Sequence, residues 1–108
     1  MTDAELIQYA TEFREGMLGK RGLSASKCYM VSAPLAGLMD FDGIKCDVEE
    51  AMFGLFEHYF IRLADGRVLD PTADQFNALF DYAMPPVYLG PATKSQGGEV
   101  EPPRRDPK

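Results

Sequence analysis

The sequence predicts an α+β fold in which N-terminal helices pack on a small antiparallel β-sheet. Apolar residues recur at three- and four-residue steps through residues 6–18 and again before residue 40, which is typical of helices with one buried face. From Ile44 onward apolar and polar residues alternate, which is typical of a half-buried strand. A chain of 108 residues has room for one core, so we expect a single domain over residues 1–90.

The first helix is predicted over residues 2–20. Thr2 and Glu5 have the spacing of a capping box, in which each side chain accepts a hydrogen bond from the other residue's backbone N–H. Gly19 and Gly22 follow the apolar stripe and favour the end of the helix there. We interpret the stripe itself as core packing.

A second helix is predicted over residues 26–39, with Ser24 or Ser26 as its N-cap. Pro34 lies inside this span and lacks a backbone N–H. We therefore expect a kink or a break of the helix at residues 30–33.

The sheet is predicted from strands at residues 44–49, 56–63 and 67–70, and from an extended segment at 84–89 that enters a last strand. The Ala-Asp-Gly sequence at 64–66 predicts a hairpin turn between the second and third strands. Residues 91–108 contain four prolines and little that is apolar, so we expect a disordered tail.

Composition and charge exclude several classes of function. The 11 basic and 17 acidic residues give a net charge of −6, which argues against nucleic acid as a partner and is compatible with a basic protein partner. Two cysteines and one histidine are too few for a zinc site, so no metal or cofactor is expected. No apolar run is long enough to span a membrane, and the N-terminus has no signal-like pattern. We therefore expect a cytoplasmic protein without a membrane partner.

Three residues have the types and positions that thiol catalysis requires. Cys28 lies near the start of a predicted helix, where unpaired N–H groups and the helix dipole favour a thiolate. His58 lies on a strand and Asp70 ends the next one, which suits an imidazole that activates the thiol and a carboxylate that orients the imidazole. The backbone N–H of Cys28 could serve as one oxyanion donor, and the second donor stays open. Cys46 falls in the apolar register of a strand, so we expect it to be buried.

The hairpin turn decides whether His58 and Asp70 can meet. With a two-residue loop, Asp70 would pair with Ile61 and face away from His58. With a three-residue loop and Gly66 in the left-handed conformation, Asp70 pairs with Phe60 and becomes the diagonal neighbour of His58, about 7–8 Å away at the backbone. The second register also gathers the apolar side chains on the opposite face. The hydrophobic pattern and the carboxylate–imidazole contact therefore favour the same turn.

Two stretches resemble the transglutaminase-like members of the papain-like cysteine enzyme superfamily. The first, similar to the nucleophile helix of that group, is Cys28 followed by Ala33, Leu35, Leu38-Met39 and Gly43-Ile44-Lys45. The second, similar to its histidine strand and aspartate hairpin, is His58-Tyr59-Phe60 followed by Asp65-Gly66-Arg67-Val68-Leu69-Asp70-Pro71-Thr72. The order Cys, His, Asp also agrees with the related arylamine N-acetyltransferases. The resemblance covers residues 24–76, about half of the chain.

This resemblance implies a papain-like core in a small bacterial or phage-type member, with Cys28 as nucleophile, His58 as general base and acid, and Asp70 as orienting carboxylate. The implied chemistry is acyl transfer through a thioester on a protein or peptide substrate: amide or isopeptide hydrolysis, deamidation, or transfer to an amine. No cofactor is required. The alternative is a non-catalytic binding or inhibitory protein, a bacterial or phage accessory protein that uses the same fold and acts through its acidic surface.

Overall fold

The computed structural model describes residues 1–20 and 27–105, and the chain is an α+β protein. Its helices are α1 (Asp3–Leu18), α2 (Cys28–Phe41) and the short α3 (Asn77–Phe80), with 3₁₀ turns at Ala73–Phe76 and Lys94–Gln96. The strands are β1 (Cys46–Phe53), β2 (Phe56–Leu63), β3 (Val68–Asp70) and β4 (Tyr88–Gly90). They form one antiparallel sheet in the order β1-β2-β3-β4.

Helix α1 begins with the predicted capping box. The backbone N–H of Thr2 donates to the Glu5 carboxylate at 2.8 Å, and the N–H of Glu5 donates to the Thr2 hydroxyl at 3.1 Å. The helix ends at Leu18, before Gly19, whose φ of 80° suits a residue without a side chain. The predicted first helix is therefore confirmed, two residues shorter at its C-terminal end.

Helix α2 runs unbroken through Pro34, so the predicted break at residues 30–33 is wrong. Proline cannot donate to the carbonyl four residues earlier, which belongs to Met30. Met30 is 43% exposed and Pro34 lies on the exposed side of the helix, so water can hydrogen-bond that carbonyl. The N-cap residue is Lys27, which makes no side-chain cap; the candidates Ser24 and Ser26 lie outside the described residues.

The main core lies between the two long helices and one face of the sheet. Helix α1 contributes Leu6 and Ala10, helix α2 contributes three buried residues, and the sheet contributes Ile61, Leu63 and Leu69. A second, mostly aromatic cluster includes Phe76, which also contacts His58 on the other face of β2. The sheet is thus covered on both faces, and the candidate site residues lie at its centre.

The β2–β3 hairpin has the predicted three-residue turn. Ile61 pairs with Leu69 and Arg62 with Val68, and the N–H of Leu63 donates to the carbonyl of Arg67 at 2.9 Å. Gly66 has a φ of 92°, the left-handed conformation that this turn requires. The predicted register is confirmed, and it places Asp70 opposite Phe60 on the face that carries His58.

Residues 91–105 differ from the expected disordered tail. They fold back along the sheet, where Thr93, Ser95 and Gln96 are at most 2% exposed. The N–H of Ala83 donates to the carbonyl of Pro103 at 2.7 Å, which attaches the end of the segment to the body of the protein. Polar residues can be ordered here because local hydrogen bonds pair their buried groups, a contribution that composition alone does not reveal. Residues 106–108 lie outside the described part of the chain.

Across residues 1–20 and 27–105, the structure contains no helix with both the length and the apolar composition needed to cross a membrane.

Candidate active site

The site forms where β3 ends beside β2. In the hairpin register, the position opposite Tyr59 is Pro71, which has no N–H and cannot continue the ladder. The first turns of α2 take that place: the Ser32 hydroxyl donates to the carbonyl of Tyr59 at 3.3 Å, and the Tyr59 N–H faces the thiol of Cys28. The end of β3 therefore creates the opening that brings Cys28 to the histidine strand.

His58 and Asp70 form a buried pair. Nε2 of His58 lies 2.6 Å from Oδ2 of Asp70, and the two residues are 1% and 0% exposed. Nδ1, the second ring nitrogen, is also buried, and the Cys28 thiol is the titratable group beside the ring. The carboxylate thus favours the tautomer with the proton on Nε2, which leaves Nδ1 available as a base.

Cys28 is the first residue of α2, and its thiol lies next to the His58 ring. Burial by itself raises the pKa of this thiol. The interaction with His58 and the backbone N–H groups of Tyr59 and Tyr29 outweigh burial and lower the pKa below its ordinary value. Cys28 is therefore placed to become a thiolate.

The pKa of His58 shifts in the opposite direction, to about 9. Burial by itself lowers this pKa, because it disfavours the imidazolium. The negative charge of Asp70 and its hydrogen bond outweigh burial, and the Cys28 thiol adds to the increase. A lowered thiol pKa beside a raised imidazole pKa favours the thiolate–imidazolium ion pair.

Asp70 has further partners on both of its oxygens. The N–H and the hydroxyl of Thr72 donate to Oδ1 at 3.0 and 3.4 Å. Nε2 of Gln96 donates to Oδ2 at 2.7 Å. Together with His58 Nε2, four donors therefore surround a carboxylate that has no access to solvent, which offsets the cost of burying its charge.

Aromatic side chains hold the imidazole ring from two directions. Phe76 meets the ring edge-on with centroids 5.2 Å apart, and Phe60 stacks on it at 6.0 Å. This packing limits rotation of the ring and excludes water from the contact between His58 and Asp70.

Cys46, the alternative thiol, has a different environment. It is half-buried on β1, and its thiol donates to the carbonyl of Ala36 at 3.7 Å. Burial and then the charges of Asp40 and Asp47 raise the pKa of this thiol. Of the two cysteines, Cys28 alone has a surrounding that favours the thiolate.

Gln96 is the site residue that the sequence analysis missed. It lies in the segment predicted to be disordered, for which the sequence indicates no contact with Asp70. Thr93 and Gln96 nevertheless have capping-box spacing, and they form that box in the structure. This spacing was the available sign of local order near residue 96.

The thiol of Cys28 lies at the N-terminal end of α2, where the first N–H groups of a helix have no partner within the helix. The N–H of Val31 bonds to the carbonyl of the N-cap residue Lys27 at 3.0 Å, so the N–H groups before it have no partner within the helix. The Cys28 N–H is thus one candidate oxyanion donor. Residues 21–26, which precede the helix, lie outside the described part, and the second donor stays open. Within the described ranges, no cluster of three or more His, Cys, Asp or Glu side chains could hold a metal ion.

Comparison of the chain with family models, with curated proteins and with solved structures gives no match. The function therefore has to be inferred from the geometry of the site and the chemistry of its residues.

Proposed function

We propose that the protein is a thiol-dependent acyl-transfer enzyme in which Cys28, His58 and Asp70 form a catalytic triad. The observation that carries the proposal is the position of the single imidazole, which lies 2.6 Å from a buried carboxylate and beside a thiol of lowered pKa. The resemblance of residues 24–76 to transglutaminase-like enzymes points the same way. Membership of that superfamily and a papain-like core are part of the proposal.

Transfer of the Cys28 thiol proton to Nδ1 of His58 gives the thiolate–imidazolium pair. In the first half of the reaction, this thiolate attacks the carbonyl carbon of the substrate amide. The negative charge that develops on the carbonyl oxygen is stabilised by the Cys28 N–H. The C–N bond then breaks, and the leaving amine takes the proton from His58. The acyl group remains on Cys28 as a thioester.

In the second half, water or an amine attacks the thioester, and His58 accepts the proton of the attacking group. The C–S bond breaks and Cys28 recovers its thiol proton from His58. Asp70 keeps its negative charge throughout, orients the ring and stabilises the imidazolium. Water as acceptor gives hydrolysis or deamidation, and an amine gives transfer.

The surroundings of Cys28 suit a protein or peptide substrate. The next two residues on α2, Tyr29 and Met30, are 57% and 43% exposed, and the Tyr29 ring packs edge-on against Tyr59 at 4.9 Å. An exposed aromatic and a methionine beside the nucleophile form a surface on which an extended chain can lie.

The test uses p-nitrophenyl acetate, an activated acyl donor that does not require the natural substrate. We expect nitrophenolate release with an acetyl thioester on Cys28, located by mass spectrometry of the digested protein. Asp70→Asn should slow acylation roughly a hundredfold or more, because an amide opposite Nε2 favours the tautomer whose Nδ1 cannot accept the thiol proton. Asp81→Asn is the matched control, because Asp81 is exposed and asparagine tolerates its left-handed backbone conformation.

Equal acetylation of Cys28 and Cys46, or equal rates for Asp70→Asn and the unmodified chain, would contradict the proposal. Either result would favour the non-catalytic alternative, in which the acidic protein binds a basic partner.

A further inference from the structure

We propose that Gln96 is a positioning residue of the active site, and that its amide holds the Asp70 carboxylate in the orientation His58 needs. The inference rests on the proposed function and adds a residue from outside the 24–76 stretch. Gln96 is 1% exposed. Its Nε2 donates to Oδ2 of Asp70 at 2.7 Å, the same oxygen that His58 Nε2 contacts at 2.6 Å.

The orientation of the Gln96 amide is determined by Thr93. The backbone N–H and the hydroxyl of Thr93 donate to Oε1 of Gln96 at 2.9 and 2.8 Å. Two donors on one end identify it as the oxygen, so the NH₂ end faces Asp70. The opposite orientation would place two acceptor oxygens against each other in a buried site.

A neutral donor suits this position for a physical reason. A lysine or arginine here would form an ion pair with Asp70 and compete with the imidazolium for its charge. An amide donates a hydrogen bond without adding a charge, so Asp70 keeps its full effect on His58. With Thr72 on Oδ1 and Gln96 on Oδ2, neither oxygen of the carboxylate can turn away from the ring.

Tight packing of the backbone next to Gln96 restricts the position of this residue. Gly97 has a φ of 75°, and a side chain there would lie 3.2 Å from the Cβ of Ala51 on β1. A Cβ on Gly98 would lie 2.1 Å from the carbonyl oxygen of Ala92. The turn therefore packs directly against itself and the sheet, which leaves Gln96 little freedom to move.

The test observes the His58 ring by NMR, since the chain has a single histidine and its imidazole signals need no assignment. In the unmodified protein we expect a downfield, slowly exchanging Nε2–H resonance. Gln96→Leu should speed the exchange of this proton about tenfold or more, because loss of a hydrogen bond to a charged group frees the carboxylate. The alkylation rate of Cys28 near neutral pH should fall by a similar factor.

The Gln96→Glu variant distinguishes the effect of the hydrogen bond to Asp70 from the effect of the side chain's packing. When the introduced carboxyl group is protonated it can still donate to Asp70, whereas its ionised form cannot. The Nε2–H resonance of this variant should therefore resemble that of the unmodified protein at acidic pH and be lost as the pH rises. Lys94→Ala is the matched control, since Lys94 is exposed on the same turn and pairs with Glu101 at 2.8 Å. Lys94→Ala should change neither the Nε2–H resonance of His58 nor the alkylation rate of Cys28.

The inference would be overturned if Gln96→Leu left the Nε2–H resonance of His58 and its exchange rate unchanged. It would also be overturned if the resonance of Gln96→Glu did not change with pH. If Gln96→Leu does not fold, the near-isosteric Thr93→Val, which removes one donor to Gln96, should give a smaller change in the same direction. The NMR readout does not require Cys28 to be reactive. An unreactive Cys28 in the unmodified protein therefore contradicts the proposed function, while the resonance still decides the role of Gln96.

Discussion

At the scale of single residues, Cys28 and His58 contribute to the pH dependence of stability with opposite signs. The raised pKa of His58 stabilises the fold fully below pH 6.5, and this contribution is lost as the pH rises toward about 9. The lowered pKa of Cys28 stabilises the fold above the ordinary thiol value of 9.0, and this contribution is lost as the pH falls through the folded-state pKa. The two effects partly cancel between pH 6.5 and 9.

Cys28→Ala separates the two contributions. Asp70 raises the pKa of His58 more than Cys28 does, so that pKa should stay above 6.5 in the variant. The free energy of unfolding, measured with urea, should then fall by roughly 1–3 kcal/mol as the pH rises from 6.5 to 9. The double variant with His58→Gln should lack this fall. A Cys28→Ala protein as stable at pH 9 as at pH 6.5 would show that Asp70 does not hold the proton on His58.

The sequence was sufficient to bring His58 and Asp70 together, because a three-residue turn determines which side chains share a face. The position of Cys28 beside them depends on how α2 docks on the part of β2 that extends beyond the end of β3, and no local pattern encodes that docking. Gln96 was missed because its contact with Asp70 joins residues 26 positions apart. The catalytic roles of these residues stay predictions.

At the scale of elements, the β2–β3 hairpin controls the site through Gly66. Its φ of 92° is a conformation that other residues rarely adopt, and a Cβ there would meet no other atom within 4 Å. Gly66→Ala should therefore lower the free energy of unfolding by about 1 kcal/mol through backbone strain alone. Gly37→Ala is a control with an expected effect of opposite sign, since Gly37 lies on an exposed position of α2. It should stabilise the protein by roughly 0.5–1 kcal/mol.

Urea unfolding at one pH compares the two alanine variants directly. Equal effects of Gly66→Ala and Gly37→Ala would show that the turn does not need the left-handed conformation. The register on which the contact between His58 and Asp70 depends would then be in doubt.

The elements themselves were largely predictable from local patterns. Strand β2 has the predicted bounds, 56–63, and lies between two turns. We expected a kink or a break of helix α2 at residues 30–33, but the helix continues through Pro34, which lies on its exposed side. The cost of a proline thus depends on which face it occupies, and that face is set by tertiary packing.

At the scale of the whole molecule, Arg14 connects α1 to the segment that follows Asp70. The guanidinium donates to both oxygens of Asp74 at 2.9 Å, and to the carbonyls of Pro71 and Pro86 at 2.9 and 3.0 Å. Its side chain is 8% exposed. Arg14→Met should lower the free energy of unfolding by about 3 kcal/mol, because it removes one partner of a largely buried ion pair.

Arg67→Met is the matched control for Arg14→Met. Arg67 also contacts two carboxylates, Asp3 and Asp65, but these ion pairs are largely solvent-exposed, so the substitution should change stability little. Urea denaturation of both variants checks the contrast. If both variants lose only a little free energy of unfolding, Arg14 acts as a surface charge and does not join α1 to the site.

The C-terminal segment shows where composition fails as a guide to the whole molecule. Residues 91–105 have few apolar side chains, yet Thr93, Ser95 and Gln96 are buried against the sheet. Their order comes from hydrogen bonds within residues 93–96 and from the hydrogen bond of Gln96 to Asp70. The low apolar content of residues 91–105 therefore predicted disorder, although the folded protein provides hydrogen-bond partners for their polar side chains.

The measurement that tests the central claim most directly is the rate of Cys28 alkylation by iodoacetamide as a function of pH. Mass spectrometry of the digested protein would follow Cys46 as an internal control, alongside the His58→Gln variant. We predict that Cys28 reacts at pH values well below the ordinary thiol pKa and ahead of Cys46, and that His58→Gln slows the reaction. A Cys28 that titrates like a free thiol, or that is unaffected by His58→Gln, would contradict the proposed triad.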